Sequence, residues 1–332
     1  MTANKSVSDL FKSFANQTIL IIGDVMIDSY IKGKIERMSP EAPVPVVTVI
    51  GKEERLGGAA NVALNIQSLG AKPVLCAIIG DDANAKTLEN LFKKNKLSIE
   101  GLLPIKNRPT TIKTRIICDN SHVLRLDEEI SNEISSSEEK KMVQKISSII
   151  RKQKISVVVF EDYDKGCITP NLIKEVVKLA AKTNIPVAVD PKKRNFLSYN
   201  GVTLFKPNLK ELKEGLKLKS LNPKNRAEVE KSAEALRKTL NAGMVLLTLS
   251  ENGVYISDGK NKHILPAHKR NVIDVSGAGD TVIAIAALCL GAKSDSKALA
   301  ELANLAGGLV CEKAGVVPID KKQLLEEALK QV

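Results

Sequence analysis

The sequence predicts an α/β fold, a mostly parallel sheet covered by helices on both faces, with a small antiparallel β lid. Short, unbroken apolar runs recur along the chain with helix-length segments between them. A strand buried on both faces reads as such a run. Regular alternation of these runs with amphipathic helices marks a sheet whose strands are joined by crossover helices. Two β-rich segments, residues 30–50 and 110–126, break that rhythm and supply the lid.

Taken in order, the first strand is 18–23, TILIIG, which ends on a glycine. Comparable strands are expected at 73–79, 156–161, 186–190, 202–205 and 244–249, and helices at 58–69, 169–183 and 226–240. In 30–50, Pro40, Pro43 and Pro45 argue against a crossover helix, and the stretch VPVVTVI alternates as a half-exposed strand does. In 110–126 a turn at Asp119-Asn120-Ser121 joins two strands. Residues 1–332 hold no low-complexity linker and no internal repeat, so a single domain is expected.

Composition narrows the function classes. Hydrophobic residues make up 43% and charged residues 27%, as in ordinary globular proteins. The formal net charge of +12 invites nucleic acid as a partner. Against that, the lysines are spread along the chain, aromatics are only 3%, and no recognition module stands out. A basic surface equally suits phosphorylated small molecules. The five cysteines form no C-x-x-C pair, so neither a disulfide framework nor a zinc site is expected. The longest apolar run, 282–290, is far short of the roughly 20 residues that span a bilayer. With no secretory leader visible, a cytoplasmic protein without membrane partners is expected.

The sharpest chemical feature is the stretch 274–281, Asp-Val-Ser-Gly-Ala-Gly-Asp-Thr, which runs into an alanine-rich helical segment. Gly277, Ala278 and Gly279 at a helix entry turn backbone N–H groups toward an anion, and the helix dipole adds to the attraction. Asp280 then falls in the first turn, where the dipole favours its ionised form. A carboxylate beside a phosphate cradle can take the proton of an attacking hydroxyl. A glycine turn with a capping aspartate explains the short motif equally well. A second feature is Gly57-Gly58-Ala59-Ala60-Asn61, where paired glycines admit a ligand and Asn61 offers both donor and acceptor to hydroxyls.

Together, 57–80 and 274–280 resemble the two signature regions of the PfkB, or ribokinase-like, carbohydrate kinases, in the right order and over essentially the whole chain. Ile285 departs from the pattern, which usually has a small residue there, and is expected to pack inside its helix. The resemblance implies a three-layer α/β/α sandwich, ATP with Mg²⁺, and Asp280 as catalytic base. It implies a nucleotide side built from Asp190, Lys192, Asn208, Leu209, Lys210, Glu211, Thr248, Ser250, Gly253 and Asn304, with Asn208 and Glu211 arranging Mg²⁺ indirectly. It implies an acceptor side built from Asp24, Asp28, Gly57, Gly58, Asn61 and Asp162.

The segments 23–28, 38–47, 108–111, 124–127 and 161–166 are similar to the heptose-phosphate kinases of that family. That similarity implies D-glycero-β-D-manno-heptose 7-phosphate as acceptor, phosphorylated at its 1-hydroxyl. A sugar already bearing a phosphate needs a basic contact, for which Arg108, Lys113 and Arg115 are candidates. Lys113 and Arg115 would share one face of a strand. Alternatives are a kinase for another sugar or sugar phosphate, and a non-catalytic binding protein on the same fold. His122, His263 and His268 are isolated and no H-x-G-H-like motif occurs, so no nucleotidyltransferase domain is expected. A homodimer through the lid is expected, as is common in the family.

Overall fold

The computed structural model describes residues 6–119 and 121–330. In chain order its first half contains α1 (Val7–Phe14), β1 (Thr18–Gly23), β2 (Val25–Met38), β3 (Pro45–Gly58), α2 (Ala59–Ser68), β4 (Lys72–Gly80), α3 (Ala83–Lys94), β5 (Leu102–Ile105), β6 (Ile112–Cys118), β7 (Ser121–Glu128) and α4 (Ser136–Lys152). There follow β8 (Val157–Glu161), α5 (Pro170–Lys182), β9 (Val187–Asp190), β10 (Leu204–Phe205), α6 (Leu209–Gly215), α7 (Arg226–Thr239), β11 (Met244–Thr248), β12 (Val254–Ser257), β13 (Lys262–Leu265), α8 (Ala278–Gly291), α9 (Ser296–Val310) and α10 (Lys321–Leu329).

The main sheet has the strand order β13-β12-β11-β10-β9-β8-β1-β4-β5. It is parallel from β11 to β5 and turns antiparallel only at β12 and β13. The expected apolar runs are its central strands. Alternate residues of β1 serve opposite layers: Ile19 and Ile21 pack with α2 and α8, while Leu20 and Ile22 pack with α4 and α5. Both faces are therefore buried, which is why these strands lack a polar face.

Helix α8 is enclosed on all sides, with every residue from Asp280 to Cys289 buried, as a helix apolar around its circumference must be. Ile285 lies fully inside this core, where burying such a side chain stabilises by about 1.5–3 kcal/mol. Strand β10 is shorter than expected, Leu204–Phe205 only. The chain leaves the ladder at Lys206, just before Pro207, which has no N–H to give it.

The lid is a four-stranded sheet of order β3-β2-β6-β7. Its strands start before and run beyond the expected bounds, since β2 begins at Val25 and β3 continues to Gly58. The outer ladders β2–β3 and β6–β7 are antiparallel, whereas the central β2–β6 ladder is parallel. A long connection between β2 and β6 permits that direction, as a tight hairpin would not. Of the expected turn between β6 and β7, Asn120 lies outside the described residues. No helix among the described residues is long and apolar enough to cross a membrane.

Candidate active site

The site forms where the parallel strands end beneath the start of α8. Gly277 caps that helix in the left-handed region, at φ +78°, and no side chain caps it. A Cβ on Gly277 would meet the Asn61 Nδ2 at 2.8 Å, so both conformation and space demand glycine. Asp280 follows in the first turn and is nearly inaccessible. Its Oδ2 accepts from Asn61 Nδ2 at 2.7 Å and its Oδ1 from the Tyr163 hydroxyl at 2.7 Å. Burial pushes the Asp280 pKa up from the ordinary carboxylate value, while those two donors pull it back.

Under α8 the register of the sheet lines up Gly23, Glu161, Asp190 and the residue after Phe205, Lys206. Asp190 and Lys206 form a buried ion pair at 2.6 Å. Gly279 sits above them, its absent Cβ 3.6 Å from Asp190 Oδ2 and 3.7 Å from Lys206 Nζ. Glu161 is fully buried, and among the described residues neither of its oxygens has a hydrogen-bond partner. Burial, with Asp190 and Asp280 nearby, pushes its pKa well up, as an uncompensated buried carboxylate requires.

On the nucleotide side, Asn208 caps α6 in a capping box: its side chain accepts from Glu211 N at 2.9 Å and Glu211 accepts from Asn208 N at 2.8 Å. Glu211 also pairs with Lys192 Nζ at 2.6 Å. Burial lowers the Lys192 pKa, but Asp190 and Glu211 outweigh it and the net shift is upward. Thr248, Ser250, Gly253, Ala278, Gly279 and Asn304 are among the residues lining a cavity of about 620 Å³. Asn304 donates to the Pro266 carbonyl at its wall. Asn208, Leu209 and Lys210 instead line an adjoining open groove, where Lys210 is exposed beside Glu214. The nucleotide-side residues are thus adjacent, and the cavity opens onto the start of α8.

The acceptor-side residues gather at the other flank, but several face each other. Asp24 is buried and accepts the backbone N–H groups of Tyr163, Lys165 and Cys167, and burial raises its pKa. Asp162 accepts from the Tyr199 hydroxyl, Asn195 and Asp164 N, and burial beside Asp24 pushes it to about 6. Both, expected on the acceptor side, fix the loop that follows β8 through these bonds. Asn61 is likewise turned onto Asp280 rather than toward open space.

Asp28 pairs with Arg115, whose guanidinium lies 5.4 Å from the centre of the Tyr30 ring. Gly57 makes room for this, because a Cβ there would fall 2.0 Å from Asp28 Oδ2. Gly58, at φ +60°, caps α2 and brings Asn61 beneath α8. Lys113 shares the strand face of Arg115 and pairs with Asp127 and Glu129. Arg108 donates to the carbonyls of Asn132 and Lys165. Each basic candidate therefore borders the acceptor side with a protein partner already in place.

Sequence reasoning missed Tyr163, Glu161 and Lys206 as site residues. Lys206 carried one usable signal, a lysine directly after an apolar run and before Pro207-Asn208. Glu161 and Tyr163 lie in the segment 161–166 already likened to the family, but their place beneath α8 follows from strand order, which puts β8 between β1 and β9.

Comparisons with known proteins give the family. The model of the pfkB family carbohydrate kinases matches residues 16–322. A bifunctional HldE protein of Campylobacter jejuni subsp. doylei is 42% identical over 309 residues, which is 93% of this chain and 64% of that protein. One from Helicobacter pylori is 39% identical over 297 residues, 90% of this chain and 63% of that protein. The chain thus spans somewhat less than two thirds of these curated relatives. Among solved structures, phosphofructokinase-2 from Escherichia coli in complex with fructose-6-phosphate matches with a TM-score of 0.75 at 16% identity, over 94% of this chain and 98% of that one. A ribokinase from Thermotoga maritima matches with a TM-score of 0.69 at 18% identity, over 95% and 99%. These structures share the fold. The chain belongs to the pfkB family of carbohydrate kinases and is an ATP-dependent sugar kinase.

Proposed function

We propose that this kinase phosphorylates D-glycero-β-D-manno-heptose 7-phosphate at its 1-hydroxyl, giving the 1,7-bisphosphate used for ADP-heptose and lipopolysaccharide core synthesis. The observation that carries the chemistry is Asp280, a buried carboxylate with one donor on each oxygen at the uncapped start of α8. It stands where the nucleotide cavity meets the acceptor flank. The choice of acceptor is supported by the HldE relatives and by the basic residues along the lid.

In this reading the γ-phosphate of ATP lies over the Gly277–Gly279 turn, whose amides face the charge of the transferred group. The sugar 1-oxygen attacks the γ-phosphorus, the bond to the β–γ bridging oxygen breaks, and ADP leaves. Asp280 takes the hydroxyl proton. Among the described residues no cluster of three or more acidic, histidine or cysteine side chains could hold a metal by itself. Mg²⁺ usually arrives with nucleotide phosphates, keeps several waters and needs only one or two carboxylates, and the Glu211 carboxylate at the start of α6 is of that kind. Asn208 and Glu211 would hold it indirectly, and when bound it neutralises phosphate charge. The lid strands exclude water during transfer.

The reading also places the enzyme in the cytoplasm as a homodimer joined through the lid. The exposed apolar side chains Val49, Ile50 and Leu124 on the lid support that interface. The deciding experiment incubates the protein with Mg-ATP and heptose 7-phosphate, fructose 6-phosphate, fructose 1-phosphate, ribose or adenosine. ADP release is followed and the product mapped by phosphorus NMR. Selective conversion of the heptose to its 1,7-bisphosphate is expected; preference for another acceptor discards the heptose assignment.

A further inference from the structure

The carboxylate of Asp280 is gripped at both ends. Asn61, from α2, donates to one oxygen, and the Tyr163 hydroxyl donates to the other, each at 2.7 Å. Tyr163 belongs to the loop after β8, and that loop is itself fixed. Tyr163 N donates to Asp24 Oδ2 at 2.9 Å, Lys165 N to the same oxygen at 3.1 Å, and Cys167 N to Oδ1 at 3.2 Å. The ring carries Lys192 on its face, with Nζ 5.3 Å from the centroid. A phenol anchored in this way has little freedom to point elsewhere.

We propose that Tyr163 is the positioning residue for the catalytic base, holding the plane of the Asp280 carboxylate so that a free lone pair meets the acceptor hydroxyl. The inference rests on reading Asp280 as that base. A carboxylate with one anchored oxygen can turn about its last side-chain torsion, which is broad. Two opposed donors remove that freedom, and orientation of this kind is a direct contribution to rate.

The donors also set the charge state. Burial disfavours the ionised form of Asp280, and Asp190 adds to that, while Asn61, Tyr163 and Lys206 favour it. Glu161 faces the same space from the end of β8. Tyr163 itself stays protonated, because burial with Asp280 and Glu161 nearby pushes its pKa well above the usual phenol value. It therefore remains a donor at any pH the enzyme meets. Asp24, expected to touch the acceptor, acts in this arrangement on the loop that presents Tyr163.

The test is Tyr163→Phe, which keeps the ring and removes only the hydroxyl. With any acceptor turned over by the unmodified enzyme, kcat should fall about 10- to 100-fold, the range for losing a hydrogen bond to a charged group. The acceptor KM should stay within about twofold, since ground-state binding is untouched. Losing a donor to the ionised form raises the pKa of the base, so the acid limb of the kcat–pH profile should move up by about one unit.

An independent readout needs no turnover. The Asp280 carboxylate is titrated by carbon NMR in ¹³C-aspartate-labelled protein, with its signal assigned by Asp280→Asn. An upward shift in Tyr163→Phe supports the proposal, and an unmoved titration overturns it. A raised acceptor KM with an unmoved acid limb would also overturn it, since Tyr163 would then be a substrate contact. If Asp280→Asn keeps near-normal turnover, the base reading itself fails, and that result is distinct from an indifferent Tyr163→Phe.

Discussion

The half of the site expected to take the nucleotide holds an open cavity that the half expected to take the acceptor lacks among its described contacts. The half expected to take the nucleotide is an open cavity of about 620 Å³ with Gly253, at φ +88°, and the first residues of α8 in its wall, flanked by the ion pairs Lys192–Glu211 and Asp190–Lys206. The acceptor half is crowded with charged side chains that already hold partners: Asp28 with Arg115, and Lys113 with Asp127 and Glu129. Phosphates of ATP are alike in every kinase, and backbone amides recognise them without side-chain help. On the reading proposed above, a sugar-phosphate acceptor is recognised by side chains and exchanges one set of charged contacts for another. On that same reading, an acceptor lacking a phosphate gains too little to displace those pairs, and the internal ion pairs would contribute selectivity.

The largest test of that contrast falls on the residue between the halves. Asp280→Asn should lower kcat about 10²- to 10⁴-fold, the usual worth of a general base, with ATP affinity by calorimetry nearly unchanged. An equal loss of ATP binding would mean that the halves are not separable.

Arg115→Ala should raise the KM for a phosphorylated acceptor about 10- to 100-fold, the loss expected for a charge-assisted contact. The KM for ATP should stay put. If both constants move together, Arg115 serves only to hold Asp28 and the lid.

Gly277→Ala probes the backbone at the start of α8. A side chain in the left-handed region costs about 1–2 kcal/mol, and the new Cβ would press on the Asn61 amide. Urea unfolding should show a loss of that size, together with reduced kcat. Wild-type stability would show instead that the turn relaxes freely.

The smallest effect concerns Asp162, whose pKa is pushed up to about 6 by burial beside Asp24. A carboxyl that binds its proton more tightly when folded favours the folded state below its ordinary pKa, near 3.8, and loses that advantage as pH rises through about 6. Tm measured from pH 4 to 6.5 should therefore fall for the wild type relative to Asp162→Asn. Parallel curves would mean that the Tyr199, Asn195 and Asp164 donors already offset the burial.

Much of the fold was legible because apolar patterning is a local consequence of burial on two faces. The runs at 18–23 and 244–249 became β1 and β11 with ends shifted by at most a residue. The lid was legible as β-rich, yet the parallel β2–β6 ladder was not, since pairing direction depends on a connection that runs through other elements. The glycine turn at 277–279 was recognisable because φ near +78° leaves few residue choices.

By itself, then, the sequence determined the α/β class, the turn at the start of α8, and a carboxylate one residue beyond it. Each of these is written in neighbouring residues, through periodicity, glycine and helix geometry. The tertiary structure alone decided that Asn61 and Tyr163 converge on Asp280, and that Asp24 and Asp162 turn inward to hold a loop. It alone aligned Glu161, Asp190 and Lys206 in one row. Those contacts join residues far apart in the chain, and strand order and register, which local pattern does not encode, set which side chains meet.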